Sequence, residues 1–494
     1  MYNRTPSIIE THPKSIHLMN DTVFASFRNI LLGITILFTA LTSNSMAQMA
    51  DAPGQTDPGQ ADPGATLTLQ QAIAIALDNN FQLKQAQNNE MLAEAGVFSA
   101  KADFFPTLNA NMSATRRVGQ QFDQATVSFE DKATSSIGGN LGGNVTLFNG
   151  FQQIQNLRQS QSDYEAQKET TQRLRESVIF NTASRFLQLI LNRELLTIAQ
   201  ENLQASNSRL EQIRAQVEVG TSPAVDQFNQ ESAVAQDELA VIQRENALRN
   251  SEMALYRIMQ TDSEADFDFL APDLDEDSEF LIDLGLEEMI DLAMNLRSDL
   301  RAQEYRIESA RSGVVIARSA MIPSISASAG VNASYNDQFT DPITREKLGF
   351  TDQFFDRNVN RSVGISLSVP IFNNWNRRVG LESAKVSLRN SELGLEDIRF
   401  QILEEVRQAY SDYQAVLKEL ETAEKALIAA EKAYETEQQR YSIGATTLIE
   451  LNQANANFVQ ARSGQIQTLY NAFFQSQLLD YYIGRLSPEL RLND

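Results

Sequence analysis

Leu67-Thr-Leu-Gln-Gln-Ala-Ile-Ala-Ile-Ala-Leu77 returns later in the chain as Leu284-Gly-Leu-Glu-Glu-Met-Ile-Asp-Leu-Ala-Met294. The same register, without a gap, carries Phe105-Pro-Thr-Leu108 onto Ile322-Pro-Ser-Ile325. A slightly longer register carries Val145-Thr-Leu-Phe-Asn149 onto Val369-Pro-Ile-Phe-Asn373, then runs on to match Gly220 with Gly444 and Asp226 with Glu450. Self-similarity of this kind makes each copy one structural unit. Each copy reads helix, strand, loop, strand, long helix, turn, returning helix. The first repeat spans 67–260 and the second 284–484. Between them, 261–283 is rich in Asp and Glu and holds no Lys or Arg. Its spacing fits no EF-hand loop, so it is expected to be a solvated acidic connector.

The strands carry the clearest local signal. Leu108, Ala110, Met112 and Ala114 alternate with polar residues, and Ile137, Leu141, Val145 and Leu147 share one parity. In the second copy Ile325, Ala327, Ala329, Val331 and Ala333 alternate with small polar residues, as do Val363, Ile365, Leu367, Val369 and Ile371. Each run approaches the ~9–11 residues of a tilted membrane strand, apolar on one face and uncharged on the other. The segments 116–136 and 336–360 are expected to be polar loops joining the strands in pairs. Four strands cannot close a barrel, and an open edge in lipid leaves unpaired backbone groups that cost several kcal/mol each. Two copies would give eight strands around a filled interior, whereas three give twelve and room for a lumen. A conducting assembly is therefore at least a trimer.

Heptads organise the helices. Val406, Tyr413, Leu420, Leu427, Tyr434 and Tyr441 recur every seven residues, as do Leu189, Leu196, Leu203, Leu210 and Val217. This spacing predicts coiled-coil packing. No proline lies between Asn149 and Ser222 or between Asn373 and Ile443, so each long helix can run about 70 residues, or ~105 Å. The remaining helices are half as long. Their lengths suggest that Ala224–Met259 stacks on Leu286–Ala320, and that Leu67–Ala102 stacks on Leu448–Ile483, with the connector at mid-height.

Composition removes most enzyme classes. The 494 residues include no cysteine, and the two histidines are His12 and His17. Both precede a short apolar run, Asn29 to Leu41, that follows Arg28 and leads into Ser45-Met-Ala47. This pattern predicts a signal peptide over 1–47, cleaved before Gln48, with Met19 an alternative initiator. The mature chain would then have no residues for Ser-His-Asp, Cys-His or His-ligated zinc chemistry. No cofactor is expected. A net charge of −23 argues against nucleic acid as a partner. The segment 48–66, with its repeated Asp-Pro-Gly, is expected to be a flexible linker, and 485–494 a tail.

Taken in order, Leu67-Thr-Leu-Gln-Gln-Ala-Ile-Ala-Ile-Ala-Leu-Asp-Asn-Asn80, Phe104-Phe-Pro-Thr-Leu108, Leu147-Phe-Asn-Gly150, Val369-Pro-Ile-Phe-Asn373 and Tyr441-Ser-Ile-Gly444 resemble the TolC-like outer-membrane efflux proteins of Gram-negative bacteria. The resemblance covers nearly the whole mature length. It implies an α+β membrane protein: a duplicated unit with four transmembrane strands and long coiled-coil helices per chain. Three chains would form a twelve-stranded barrel and a twelve-helix periplasmic tunnel. The implied partners are a periplasmic adaptor, an inner-membrane pump of the RND or ABC type, and outer-membrane lipid.

The resemblance also implies where the tunnel closes: at the turns Gly220-Thr221-Ser222-Pro223 and Gly444-Ala445-Thr446-Thr447, which are the candidate adaptor-docking tips. It places Glu450 at the position of a pore-facing acid, with Asp226 as its repeat partner, and Tyr441 at that of a gating tyrosine. Thr446 stands where some members carry a latching arginine, and Gln453 where they carry a second acid. From the residues themselves, Thr447-Leu-Ile-Glu450 is also a capping box and Asp226 a first-turn acid suited to the helix dipole. Trp375, the sole tryptophan, fits an interfacial anchor or a plain strand-to-helix contact equally. The function expected is a passive exit duct, serving efflux of small molecules or type I secretion of polypeptides. The alternative is a non-conducting periplasmic coiled coil whose alternating segments form a soluble β-domain.

Overall fold

The computed structural model describes residues 66–486 except 124–126, 262–266, 272–281, 283, 342 and 345. The expected leader 1–47, the linker up to 65, most of the acidic connector and the tail beyond 486 lie outside the described residues. The elements run β1 (Thr66–Leu67), α1 (Leu69–Asn79), α2 (Phe81–Ala102), β2 (Thr107–Asp123), β3 (Ser128–Phe148), α3 (Gln152–Glu218), α4 (Ala224–Met259) and β4 (Asp268–Phe269). The second copy follows as α5 (Leu286–Leu296), α6 (Ser298–Ser319), β5 (Ser324–Asn336), β6 (Val359–Ser368), α7 (Asn376–Ser442) and α8 (Leu448–Tyr482). The chain divides into a β unit and a helical unit.

The β unit is one four-stranded sheet in the order β2-β3-β5-β6, so β2 and β6 are its free edges. Antiparallel pairing sets Ala110 opposite Leu141 and Ala114 opposite Ile137, which puts both expected apolar rows on one face. The other face is polar: Asn140 bonds Asn332, and the Ser326 and Ser366 hydroxyls lie 2.7 Å apart. Among the described residues nothing covers the apolar face at its edges, where Leu108 is 76% and Val363 86% exposed. The first hairpin corrects the expected loop at 116–136. Its ladder continues through Arg116 and Ser135 to Asp123 and Ser128. No proline interrupts these residues, and Val118, Phe122, Phe129 and Thr134 all suit a pleated strand.

The segment between β5 and β6 is a loop, as expected, but an ordered one. It contains a bridge between Thr340 and Lys347 and a π-helical turn, Asp352–Arg357. Gln353 within that turn is fully buried; its amide donates to the carbonyls of Asn336 at 3.0 Å and Leu348 at 2.8 Å, and its oxygen accepts from the Asn336 N–H at 3.0 Å. Phe354 lies on Gly139, where a Cβ would stand 2.7 Å from its ring.

In the helical unit, α3 and α7 each run 67 residues, close to the length that the proline spacing allowed. Both begin at the same unusual corner. Gly150 and Phe151 before α3, and Asn374 and Trp375 before α7, have φ between 54° and 69°. Two consecutive left-handed residues turn the chain sharply, and only the first copy supplies a glycine for this. Trp375 is a corner residue: it meets Phe372 edge to face at 6.5 Å, and the Arg378 guanidinium lies 5.5 Å from its ring.

The expected single helices at 67–102 and 286–320 are each broken in two. Asn80 ends α1 and, by accepting the Leu83 N–H at 3.0 Å, caps α2. Arg297 makes the equivalent break, held by Asp299 at 2.6 Å and by Glu405. Its neighbour Arg173 bonds Glu176 at 3.0 Å and lies 4.0 Å over the Tyr481 ring. Burial of these charges is tolerated because every one is paired.

The expected stacking is also corrected. Half-length helices meet within a copy, not between copies. The Phe81 N–H donates to Gln260 at 3.3 Å, and Leu69, Ala72 and Ile73 share a core with Leu255 and Met259, so α1/α2 stack on α4. Met289, Ile290 and Ala293 likewise share a core with Leu479 and Ile483, so α5/α6 stack on α8. Complementary lengths alone could not choose between these pairings; the apolar ends of the helices do.

The connector is only partly solvated. Phe267 and Phe269 are buried, with Phe269 6.0 Å from Phe186 near the middle of α3, and β4 pairs in parallel with β1. Thr66, the last residue expected in the flexible linker, is thus already in a strand.

Gly150 offers a direct test of the corner. A Cβ there would lie 2.9 Å from the Ile322 Cβ and 3.1 Å from the Ser319 carbonyl, at φ +68°. Gly150→Ala should cost about 1–3 kcal/mol of thermal stability. Asn374→Gly in the second copy relieves its backbone and should raise stability instead. Melting of both variants followed by circular dichroism checks the two signs.

Candidate functional site

The two helix-helix turns are built alike. Gly220 has φ 79° and Gly444 φ 74°. The following N–H reaches back five residues, Thr221 to the Gln216 carbonyl and Ala445 to the Arg440 carbonyl, both at 2.8 Å. This is a Schellman ending, which satisfies the last carbonyls of α3 and α7 and demands a residue tolerant of positive φ. Thr221 adds a hydroxyl bond to the Gln216 carbonyl at 3.0 Å, and Ser222 one to its side chain at 3.1 Å. Pro223 is the N-cap residue of α4 and lies just before its first turn.

Glu450 forms the capping box that its spacing suggested: its N–H donates to the Thr447 hydroxyl at 3.2 Å, and its carboxylate accepts the Thr447 N–H at 3.1 Å. The same carboxylate oxygen takes the Thr446 hydroxyl at 2.5 Å. Thr446, expected from the resemblance to stand at a latch position, here donates to the candidate gate acid. These bonds, the Thr446 hydroxyl first, hold the Glu450 carboxyl below the usual carboxylate range.

Asp226 lies in the first turn of α4 and comes close enough to Tyr441 for its charge to act on the phenol. Partial burial and then the Asp226 charge raise the Tyr441 pKa above its ordinary value. Asp226 and Tyr441, two of the four suggested gate residues, therefore lie close to one another. Gln453 is exposed and donates to Asn457 on its own helix at 3.0 Å.

Several bonds join the two hairpins of one chain, and two of them are carried by a residue that sequence reading missed. Arg209 on α3 donates to the Tyr434 hydroxyl on α7 and to Asn452 on α8, each at 2.9 Å. Asn452 donates to Gln230 at 3.2 Å, and Gln230, fully buried, donates to the Ser206 carbonyl and hydroxyl at 3.0 Å. Further along, Asn455 donates to Asn202 at 2.8 Å and Asn202 to Asp237 at 2.7 Å. Burial raises the Asp237 carboxyl above its ordinary range. The detectable signal was asymmetry: in the longer repeat register, Arg209 corresponds to Ala433.

The Glu450 cap has a pH signature. A carboxyl lowered on folding contributes stability above its unfolded pKa, and that contribution is lost as pH falls through the folded value. Thr446→Val removes the largest cause of the lowering, so the variant should begin to lose this contribution at a higher pH than the wild type. Both proteins should converge once the carboxyl is protonated. Melting temperatures measured between neutral pH and pH 3 test this.

The family profile described as outer membrane efflux protein matches residues 72–260 and 289–485, dividing the chain where the repeats divide it. The outer membrane efflux protein BepC of Brucella suis biovar 1 is 20% identical over 422 residues, covering 85% of this chain and 86% of the relative. The outer membrane protein TolC of Vibrio cholerae is 23% identical over 341 residues, covering 67% and 72%. Among solved structures, the Campylobacter jejuni CmeC outer membrane channel superposes with a TM-score of 0.74 at 16% identity, covering 86% of this chain and 87% of its own. The family expected from the ordered motifs is the one found, with its strands, long helices and outer-membrane location. With both repeats matched, the chain belongs to the outer membrane efflux protein family, a family of channel proteins and not of enzymes.

Proposed function

We propose that this protein is the exit duct of a tripartite efflux or type I secretion system. It works as a homotrimer that takes substrates from an RND or ABC inner-membrane pump, through a periplasmic adaptor, across the outer membrane. The observation that carries this reading is the four-stranded sheet with two free edges and an apolar face left bare by its own chain. Two chains would close only eight strands, too few for a lumen, and three close twelve. The soluble coiled-coil alternative would bury that face against other elements, and among the described residues no element covers Leu108, Val363 or Ile365. The lower heptad residues Leu420, Leu427 and Tyr434 are only half-buried in one chain, which supports further helix packing between copies.

The turns at Gly220–Pro223 and Gly444–Thr447 then form the adaptor-facing tip, and the acids beside them the constriction. Three-fold symmetry would turn Asp226 and Glu450 into rings of three, which attract cations. Arg209 acts as the latch that Thr446 cannot provide, with hydrogen bonds from a charged donor worth about 1.5–3 kcal/mol each.

Reconstitution in planar bilayers tests the reading. Wild-type protein should show small, cation-selective conductance. Arg209→Ala should raise it several-fold by freeing the two hairpins. Glu450→Gln separates charge from capping, because glutamine also serves in a capping box. This variant should lower cation selectivity at nearly unchanged melting temperature, and more so when combined with Asp226→Asn. Absence of any conductance from correctly folded protein would overturn the duct. Unchanged selectivity in the double variant would reduce both acids to helix caps.

A further inference from the structure

The apolar rows of the sheet end differently on its inner and edge strands. On β2 the row Leu108, Ala110, Met112, Ala114 meets its first charge at Arg116. On β6 the row Leu367, Ile365, Val363 meets its first charge at Arg361. On the inner strands β3 and β5 the same parity reaches acids first, Asp131 and Asp337. The first cations therefore stand on the two free edges. The Ser326–Ser366 bond fixes the even positions of β6 on the polar face, so Arg361 lies on the apolar face, as does Arg116.

Both arginines are exposed, and among the described residues neither guanidinium has an ion-pair partner. Arg116 has Ser135 opposite it on β3. The nearby Arg357 differs, being tied to Asp341 at 2.6 Å, and Asp337 already accepts the Ser135 N–H at 2.9 Å.

The next step rests on the trimer proposed above. Closing twelve strands pairs β2 of one copy with β6 of the next, antiparallel, with the apolar faces kept on one side. Arg116 and the neighbouring copy's Arg361 then share a seam on the outer face, at the loop end of the apolar band. Cross-strand neighbours on one face are ~5 Å apart when directly opposite and ~7–8 Å when diagonal. Within one chain Arg361 lies level with Ala110, six residues from Arg116, so the stagger that barrel closure imposes between copies has to bring the two together. Two unpaired guanidinium groups so placed repel each other unless an anion lies between them. The apolar residues on one side of the pair face hydrocarbon, so the anion best suited is one attached to acyl chains. Arginine forks match phosphate oxygens in a bidentate geometry.

We propose that each subunit seam binds the phosphate of a lipid headgroup in the outer leaflet, through Arg116 of one copy and Arg361 of the next. The full-length trimer would hold three such lipids. They would clamp the seams where the covalent chain does not.

Native mass spectrometry of the purified full-length protein, with added lipid A and with its dephosphorylated form, provides the test. Up to three phosphorylated lipids should be retained per wild-type trimer, and retention should fall at least tenfold in Arg116→Gln/Arg361→Gln. The dephosphorylated lipid should bind wild type and variant alike. Equal retention of both lipids by wild type, or equal retention of lipid A by wild type and variant, overturns the site. Displacement of lipid A by millimolar inorganic phosphate would make it a free-anion site and also overturn the proposal. The same spectra report assembly. A wild-type mass below three chains defeats the trimer reading, whereas an intact trimer without phosphate preference defeats the lipid site alone.

Discussion

An unpaired strand edge has no solvent to satisfy it inside a bilayer, and the rest of the structure depends on that constraint. Each backbone N–H or C=O left open in hydrocarbon costs several kcal/mol, so a sheet that ends in lipid must find another edge. This chain offers two, β2 and β6, on a sheet whose outer positions are bare leucine, valine and isoleucine. The duplication follows naturally from the same requirement. Each copy supplies one hairpin, and an antiparallel hairpin is the smallest element that can be added to a barrel wall without reversing its alternation.

The helical unit solves a different problem with the same repeat. A 67-residue helix needs a partner of equal length, yet each other helix of the copy is at most about half as long. Pairing the helix before the strands with the helix after the turn supplies that length from within one copy. The joints are where buried chemistry concentrates: Phe186, Phe267, Phe269 and Met259 at one, and Arg297, Asp299, Glu405, Leu479 and Ile483 at the other. Apolar packing secures the first joint, to which the connector contributes its two phenylalanines. A fully paired charge cluster and a smaller core secure the second. The polar contacts between hairpins lie further toward the turns, around Arg209, Gln230 and Asn452, where polar bonds can exchange with water more readily than a core can open.

Much of this was legible in the sequence because it rests on periodicity. Period-two alternation located four strands and their shared face, and the absence of proline predicted both long helices. Other features depend on contacts between residues distant in sequence. The extension of the first hairpin was missed because charged and polar residues within a strand look like a loop. Asn80 and Arg297 break helices that local propensity would continue, and only their tertiary partners show why. At the site, the repeat register paired the two turn glycines and spacing found the Glu450 capping box, both from local residues. It could not find Arg209, whose partners lie more than two hundred residues away. The acidic connector misled for a related reason: its charge dominates the composition, while two aromatic residues determine where it docks.

The account stands on edge closure, and the most direct measurement is the mass of the detergent-solubilised protein by light scattering, with detergent subtracted. Three chains per particle, with the strand content retained, is the predicted result. A folded monomer or dimer with the same strand content would mean that the edges are satisfied within fewer copies, and would contradict the account at its base.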